Sequence, residues 1–309
     1  MAPLAAFHGQ KPPAPAWFVQ AIAQEPERTF VEVEGARVEV LAWGPRGRRG
    51  LMFLHGGAAH ADWWSFIAPF FARDWRVVAP TFTGMGRSQW RETYVFEQFV
   101  REAREAGRAA GAFDADPAIV VGHSFGGRVA MGFSRDYGDE LGGAVMVDPP
   151  FFAPQNVRPP SPPRPSRARR VQHSLAAIVG RFRLMPPQPC DNLYILDHIA
   201  RRSAVEVVDQ HGKPAFALSF DPRFWEKFAR VEAAPVLAAA KGPLALVRGA
   251  KSKLIQEIDA AYLMSFVPQG SPHVVIPEAE HHLTIDQPLA FVSALRALLS
   301  VWPNRSHAP

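Results

Sequence analysis

Short, nearly unbroken apolar runs alternate along this chain with longer stretches in which apolar residues recur at helical spacing. The runs at 29–33, 37–43, 50–54, 76–79, 118–121, 144–147, 244–247 and 273–276 predict strands. The first two are separated by Glu34-Gly35-Ala36, a short hairpin connection. Later runs such as Ala118-Ile119-Val120-Val121 are apolar throughout, as expected of strands buried on both faces of a parallel sheet. The stretches at 62–73, 96–112, 125–137, 255–266 and 289–299 predict helices. This alternation predicts a mostly parallel, eight-stranded α/β sheet flanked by helices, made mixed by its opening hairpin.

Residues 150–235 interrupt the alternation. They open on a proline knot (Pro149, Pro150, Pro154, Pro159, Pro160, Pro162, Pro163, Pro165) and contain a second one at Pro186, Pro187 and Pro189. Such runs fit neither helix interiors nor central strands. Helical patterns at 193–202 and 223–232 follow, and then the strand pattern resumes. We expect a discontinuous core, 1–149 and 236–309, with 150–235 inserted as a mainly helical cap over the carboxyl ends of the strands, where α/β sheets bind ligands.

Composition narrows the class further. The chain has 309 residues, 48% apolar and 20% charged, ordinary for a globular protein that buries a large core. A net charge of +5 is mild at this length and does not point to nucleic acid. The basic run Arg158, Arg164, Arg167, Arg169 and Arg170 reads as a solvated loop. No apolar stretch is long enough to span a bilayer, and the proline-broken start does not read as a signal peptide. The single cysteine, Cys190, excludes an intrachain disulfide and makes a reducing, cytoplasmic compartment the expectation.

The chemistry is carried by Gly122-His123-Ser124-Phe125-Gly126, which follows a predicted strand and opens a predicted helix. Gly-x-Ser-x-Gly in that setting is a nucleophile elbow, a tight turn that presents a serine at a strained backbone position. Serine needs an adjacent base, and the base needs an orienting acid. His281 is the base candidate, in the loop between the last predicted strand and the last helix; His282 is its neighbouring alternative. Asp148 ends the sixth strand and is the acid candidate, with Glu257 and Asp259 as alternatives in a later helix. The backbone amides of Phe125, next to the nucleophile, and of Gly57, in the glycine-rich turn after the third strand, are the candidate oxyanion donors. His55, in the same turn, reads as structural support for it.

Taken in order, the His55-Gly56-Gly57 turn, the Gly84-Met85-Gly86-Arg87-Ser88 loop, the elbow and the His281–Pro288 segment resemble the α/β-hydrolase superfamily. The resemblance covers nearly the whole chain, the inserted segment least specifically. It implies a Ser124–Asp148–His281 triad with the Phe125 and Gly57 amides as oxyanion hole, and no metal or organic cofactor. Three positions depart from the usual pattern. Lys253 stands where the acid after the seventh strand is common, Glu280 precedes the histidine where glycine is common, and Pro80-Thr81-Phe82-Thr83 lacks the frequent Asp and Arg. A serine at the elbow separates the chain from haloalkane dehalogenases and epoxide hydrolases of this fold, which use aspartate there.

Aromatic residues crowd the candidate site. Trp63, Trp64, Phe151 and Phe152 are the candidate substrate-binding walls, with Phe82 and Phe125 nearby and Phe220, Phe224 and Trp225 in the inserted segment. The sequence therefore points to a serine hydrolase acting on a small-molecule carboxylic ester with an apolar acyl group. The alternatives are carbon–carbon cleavage of a diketone-like substrate or lactone opening by the same residues. A ligand-binding receptor on a hydrolase scaffold is the alternative from another class.

Overall fold

The structure is a computed structural model that describes residues 2–156 and 169–302. Pro159, Pro160, Pro162, Pro163 and Pro165 of the first proline knot, and Arg158, Arg164 and Arg167 of the basic run, lie outside the described residues. In chain order the strands are β1 (Glu27–Val33), β2 (Ala36–Trp43), β3 (Gly50–Leu54), β4 (Arg76–Pro80), β5 (Ala118–His123), β6 (Leu141–Val147), β7 (Val171–Gln172), β8 (Ala204–Val208), β9 (Pro214–Leu218), β10 (Leu244–Gly249) and β11 (His273–Ile276). The α-helices are α1 (Ala16–Ile22), α2 (Phe96–Ala109), α3 (Phe125–Tyr137), α4 (Leu175–Gly180), α5 (Leu193–Ser203), α6 (Phe224–Lys227), α7 (Ala233–Ala238), α8 (Glu257–Met264), α9 (Leu283–Asp286) and α10 (Pro288–Ser300).

Each of the eight expected strands is present, and together they form one eight-stranded sheet in the order β1-β2-β4-β3-β5-β6-β10-β11. β2 runs antiparallel to β1 and to β4, while the remaining pairs are parallel. Both faces are dry, which is why the strands read as continuous apolar runs. Leu51, Phe53, Ile119, Val121, Val145, Val147, Ala245 and Val247 pack on one face with α5 and α10. Their alternate neighbours Met52, Leu54, Ala118, Val120, Ala144, Met146, Leu244 and Leu246 pack on the other with α2, α3 and α8. The period-two geometry of a strand makes this division unavoidable.

Three sequence expectations need correction. The helix expected at 62–73 is absent; two 3₁₀ turns, Ala61–Trp64 and Ala68–Phe70, take its place. Pro69 sits inside the stretch, where it lacks an amide hydrogen and its ring clashes with the preceding turn. The segment is also buried through most of its length, including Trp64, Phe66, Ile67, Ala68 and Phe71, so its apolar residues do not mark a single stripe. The helix expected at 223–232 shrinks to α6. Beyond it the chain is drawn out beside Tyr94, where Tyr94 N–H donates to the Lys227 carbonyl and Ala229 N–H to the Tyr94 carbonyl. Finally, the described part of residues 150–235 is not built of helices alone. It contains a three-stranded antiparallel sheet, β7-β9-β8, beside α4 and α5. The alternation in β9, where Ala215 and Ala217 are buried between exposed Pro214 and Leu218, rests on small side chains with a weak apolar signal.

The inserted segment does not stand apart from the sheet. Ile178, Val179, Ile195, Leu196 and Ile199 join the cluster containing Phe53 and Trp64. Phe53 is fully buried and stacks on Trp64 at 4.7 Å between ring centroids. Phe53→Ala removes that partner and leaves a cavity beneath the sheet, so it should cost about 3–5 kcal/mol. Urea unfolding of the variant against the parent checks this; a change below about 1 kcal/mol would contradict the packing.

Candidate active site

The site forms where β5, β6 and β10 end side by side. Ser124 follows β5 in a left-handed conformation, φ 54° and ψ −117°, and serves as N-cap of α3. Its amide donates to the Val147 carbonyl at the end of β6 at 2.8 Å, which fixes the turn against the neighbouring strand. The turn is tight enough to require both motif glycines. A Cβ on Gly122 would stand 2.1 Å from the Gly126 carbonyl oxygen, and one on Gly126 would stand 2.4 Å from that of Leu54.

Asp148 follows β6, also left-handed at φ 46°, a conformation Asp tolerates better than most residues. Its amide donates to the Val247 carbonyl of β10 at 2.8 Å, and its carboxylate is fully buried. Oδ1 accepts from the Gly249 amide at 3.2 Å, and Oδ2 accepts from Ser252 Oγ at 2.7 Å and from His281 Nδ1 at 2.7 Å. That leaves His281 Nε2 as the acceptor for Ser124 Oγ, 3.0 Å away. The three side chains thus form one line of hydrogen bonds. The loop carrying His281 lies against β10: Lys251 N–H donates to the Ala279 carbonyl, and a Cβ on Gly249 would stand 2.3 Å from the Glu280 carbonyl oxygen.

The alternative residues have other partners. Asp259 caps α8 through the Gln256 amide at 2.9 Å and binds the Ala153 amide and the Asn156 side chain. Glu257 pairs with Arg248. His282 is buried, and neither of its ring nitrogens makes a hydrogen bond of normal geometry. Its backbone amide donates to Gln188 Oε1 at 2.9 Å, and Gln188 in turn donates to Asp286 at 2.9 Å. Burial lifts the Asp286 carboxyl to about 6.

Phe125 opens α3, so its amide is one of the donors left without an intrahelical acceptor at a helix start. Gly57 lies beside it: a Cβ built on Gly57 falls 3.8 Å from that of Phe125. His55 supports the turn, with Nε2 accepting from the Phe82 amide at 3.0 Å and Nδ1 donating to the Gly56 carbonyl at 2.8 Å. Of the four expected substrate walls, Trp64 and Phe151 are core side chains. Trp64 is committed to Phe53, and Phe151 packs on Tyr262 and Phe266 at 5.6 and 5.7 Å between centroids. Trp63 and Phe152 are half-buried, with Trp63 beside His282 at 5.6 Å.

Sequence reasoning missed three participants. Ser252 occupies the segment after β10 in which only lysines and a missing acid drew notice. His123, the variable residue of the elbow, donates through Nε2 to the His281 carbonyl at 2.9 Å and so steadies that backbone. Trp225 lies against the Gly57 turn. Ring nitrogens of His123, His281 and His282 come within 4.8 Å of one another, the one such group of possible metal ligands among the described residues. They do not fit a resident metal. Both His281 nitrogens are engaged by Asp148 and Ser124, and His123 Nε2 is engaged by a carbonyl.

Against this geometry, the comparisons define the class. The alpha/beta hydrolase family model matches residues 51–295, and the chain belongs to that family. It is 27% identical over 275 residues to the monoacylglycerol lipase of Mycolicibacterium smegmatis, covering 85% of this chain and 91% of that protein. A match to a serine hydrolase-like protein of Danio rerio is 33% identical but spans only 35% of that protein's length. Among solved structures, the thioesterase domain from the curacin biosynthetic pathway superposes with a TM-score of 0.70 at 20% identity, covering 88% of this chain and 99% of the domain. An esterase of M. tuberculosis superposes at 0.67 and 20% identity, covering 97% of each chain. The family match and the sequence relatives support hydrolase activity, and the solved structures support the fold.

Buried His55 and His123 at the site, and half-buried His198 on α5, are held neutral. Burial pushes His55 and His123 down to about 3, His281 adding to the effect at His123, and burial pushes His198 down to about 4. An unfolded imidazole takes up its proton near pH 6.5, before these folded rings do. Their contribution to stability is therefore complete above about pH 6.5 and is lost as pH falls through 5 toward 3. The urea midpoint should drop steadily between pH 7 and 4.5; a flat profile over that range would show that the rings accept protons without cost.

Proposed function

We propose that this protein is a serine hydrolase that cleaves a carboxylic ester of small to medium size, with an apolar acyl group, through an acyl-enzyme. The observation that carries the reading is the continuous line from Ser124 Oγ through His281 to Asp148, at 3.0 and 2.7 Å. Asp148, accepting from Nδ1–H, holds His281 in the tautomer whose Nε2 can take a proton. Ser124 Oγ attacks the substrate carbonyl carbon while Nε2 removes its proton. The negative charge that develops on the carbonyl oxygen meets the Phe125 and Gly57 amides. Collapse of the tetrahedral intermediate expels the alcohol, which leaves with the proton from His281. Water then repeats the sequence on the acyl-enzyme, releasing the acid and restoring Ser124.

Residues 150–235 act in this reading as a cap, with Trp63 and Phe152 as walls of the substrate site. The substrate is a small molecule, the chemistry calls on no cofactor, and the single cysteine favours a reducing cytosol. Among the described residues no helix is long and apolar enough to cross a membrane. Relatives named as lipases and as the pimeloyl-[acyl-carrier protein] methyl ester esterase of Sodalis glossinidius favour an ester. Carbon–carbon cleavage by the same three residues is the second reading. It is favoured by the 2-hydroxy-6-oxo-6-(2'-aminophenyl)hexa-2,4-dienoic acid hydrolase of Metapseudomonas resinovorans, 23% identical over 91% of this chain.

Ser124→Ala should lower turnover of p-nitrophenyl esters by at least about 10³-fold while leaving the unfolding midpoint in place. Asp148→Asn should cost about 10³–10⁴-fold by disturbing the tautomer. A fluorophosphonate should label Ser124 rapidly. A folded protein that resists the label and retains its slow background rate after Ser124→Ala would instead be a ligand-binding receptor.

Ser252→Ala removes one of the donors that orient the Asp148 carboxylate. It should reduce kcat by about 3–10-fold with KM nearly unchanged, the scale of one net hydrogen bond. A wild-type kcat in this variant would show that the Gly249 amide and His281 suffice to hold the carboxylate.

A further inference from the structure

Trp225 is an exposed tryptophan in an unusual place. It belongs to α6 in the inserted segment and is 52% exposed, yet its six-membered ring lies against the Gly57 turn. A Cβ built on Gly57 would stand 2.9 Å from Trp225 Cζ2 and 3.0 Å from Cη2. The indole is held edge-on to three buried rings: Phe224 at 4.9 Å, Phe228 at 6.0 Å and Phe125 at 6.3 Å between centroids, with interplanar angles of 85–88°. Phe125 and Gly57 are the two residues whose amides face the developing oxyanion in the reading above.

The short helix that carries the indole is fastened at both ends to the segment between β4 and α2. Asp221 N–H donates to the Gly84 carbonyl at 2.8 Å, and the Asp221 carboxylate accepts from Tyr94 Oη and Lys227 Nζ, both at 2.9 Å. Lys227 Nζ also donates to the Arg91 carbonyl, and Ala229 N–H donates to the Tyr94 carbonyl. Tyr94 and Asp221 are buried. Trp225 is therefore mounted on a braced support, although its own side chain is half in solvent.

We propose that Trp225 is the specificity-determining wall on the acyl side of the site, and that it favours planar or unbranched acyl groups over those branched at the carbon next to the carbonyl. This rests on the serine-hydrolase reading. The tetrahedral carbon on Ser124 has four substituents. Ser124 Oγ is one, the oxyanion faces the Gly57 and Phe125 amides, and the leaving oxygen must face His281 Nε2 to receive its proton. The acyl carbon takes the remaining direction, and its substituents extend toward the indole packed beside Gly57 and the Phe125 ring. A flat or linear acyl group can lie along an aromatic face; a tertiary carbon projects methyl groups into it. The same contact accounts for glycine at position 57, where a methyl group would meet the indole.

The test holds the leaving group constant and varies the acyl group, using p-nitrophenyl acetate, benzoate and pivalate with the parent, Trp225→Ala and Trp225→Phe proteins. Trp225→Ala should raise kcat/KM for pivalate relative to acetate by about 10-fold or more, with Trp225→Phe in between. A second arm uses Gly57→Ala, which should lower acetate turnover, and the double variant Gly57→Ala/Trp225→Ala, which should recover part of that loss. An unchanged pivalate-to-acetate ratio in Trp225→Ala, or no recovery in the double variant, overturns the wall while leaving the hydrolase reading intact. If the parent turns over none of the esters and Ser124 is not labelled by fluorophosphonate, the hydrolase reading falls and the wall falls with it.

Discussion

The register of three adjacent parallel strands is the constraint on which the site depends. His123 of β5 stands opposite Val147 of β6, and Val147 stands opposite Val247 of β10. Equivalent backbone bonds continue past the strand ends. Ser124 N–H donates to Val147, Asp148 N–H to Val247, and Ala250 N–H to Ile276, at 2.8, 2.8 and 2.9 Å. Ser124 and Asp148 are thus each the first residue beyond a strand, their amides locked to a carbonyl at or near the end of the next strand over. A slip of one residue would turn every side chain of that strand to the opposite face. Because both faces are filled with apolar side chains, the whole sheet resists such a slip, and with it any change in the spacing of Ser124 and Asp148.

This rigidity also sustains local strain. Ser124 and Asp148 both adopt positive φ, a conformation costing of order 1–3 kcal/mol at a non-glycine residue. Neither turn has room to relax. The Gly122 and Gly126 backbones touch on one side, and the Asp148 carboxylate is held by Gly249, Ser252 and His281 on the other. The strain lifts Ser124 Oγ out of the backbone toward Nε2 and turns the Asp148 carboxylate inward to Nδ1. Backbone geometry and side-chain hydrogen bonds here favour the same arrangement, which is why it persists.

Most of this framework was legible in the chain, because the strands are short, apolar and bounded, and their burial on both faces leaves an unambiguous trace. The elbow was legible because its glycines answer a steric demand that no other residue meets. His281 and Asp148 could be placed by chain order but not measured, since the contact between them spans 133 residues and depends on strand order. Other features left no local trace. The 62–73 segment has helix-like composition but is buried through most of its length, and Pro69 breaks it. β8 (Ala-Val-Glu-Val-Val) and β9 (Pro-Ala-Phe-Ala-Leu) are short, and in β9 the buried positions are alanines that give little apolar contrast. Trp64 and Phe151 were indistinguishable in sequence from Trp63 and Phe152; only their packing separates core ring from half-exposed ring. Ser252 was hidden among lysines, and its role exists only because Asp148 comes from β6.

The place of the proposed acid, just after β6, has a further consequence for the end of β10. Where a carboxylate after β10 would leave that loop to supply charge, this chain uses it to supply donors: the Gly249 amide and the Ser252 hydroxyl both point at Asp148, and Ser252 Oγ in turn accepts from the Leu254 amide at 3.2 Å. A buried carboxylate without such donors would be driven toward its neutral form by desolvation. Two donors besides His281 meet the Asp148 carboxylate at full burial, so both of its oxygens have partners. The lysines flanking Ser252 are turned outward, Lys251 toward Glu278 and Lys253 largely exposed beside Glu280, so the loop contributes oriented dipoles rather than a competing cation. The departure at this loop is thus compensated within the loop itself.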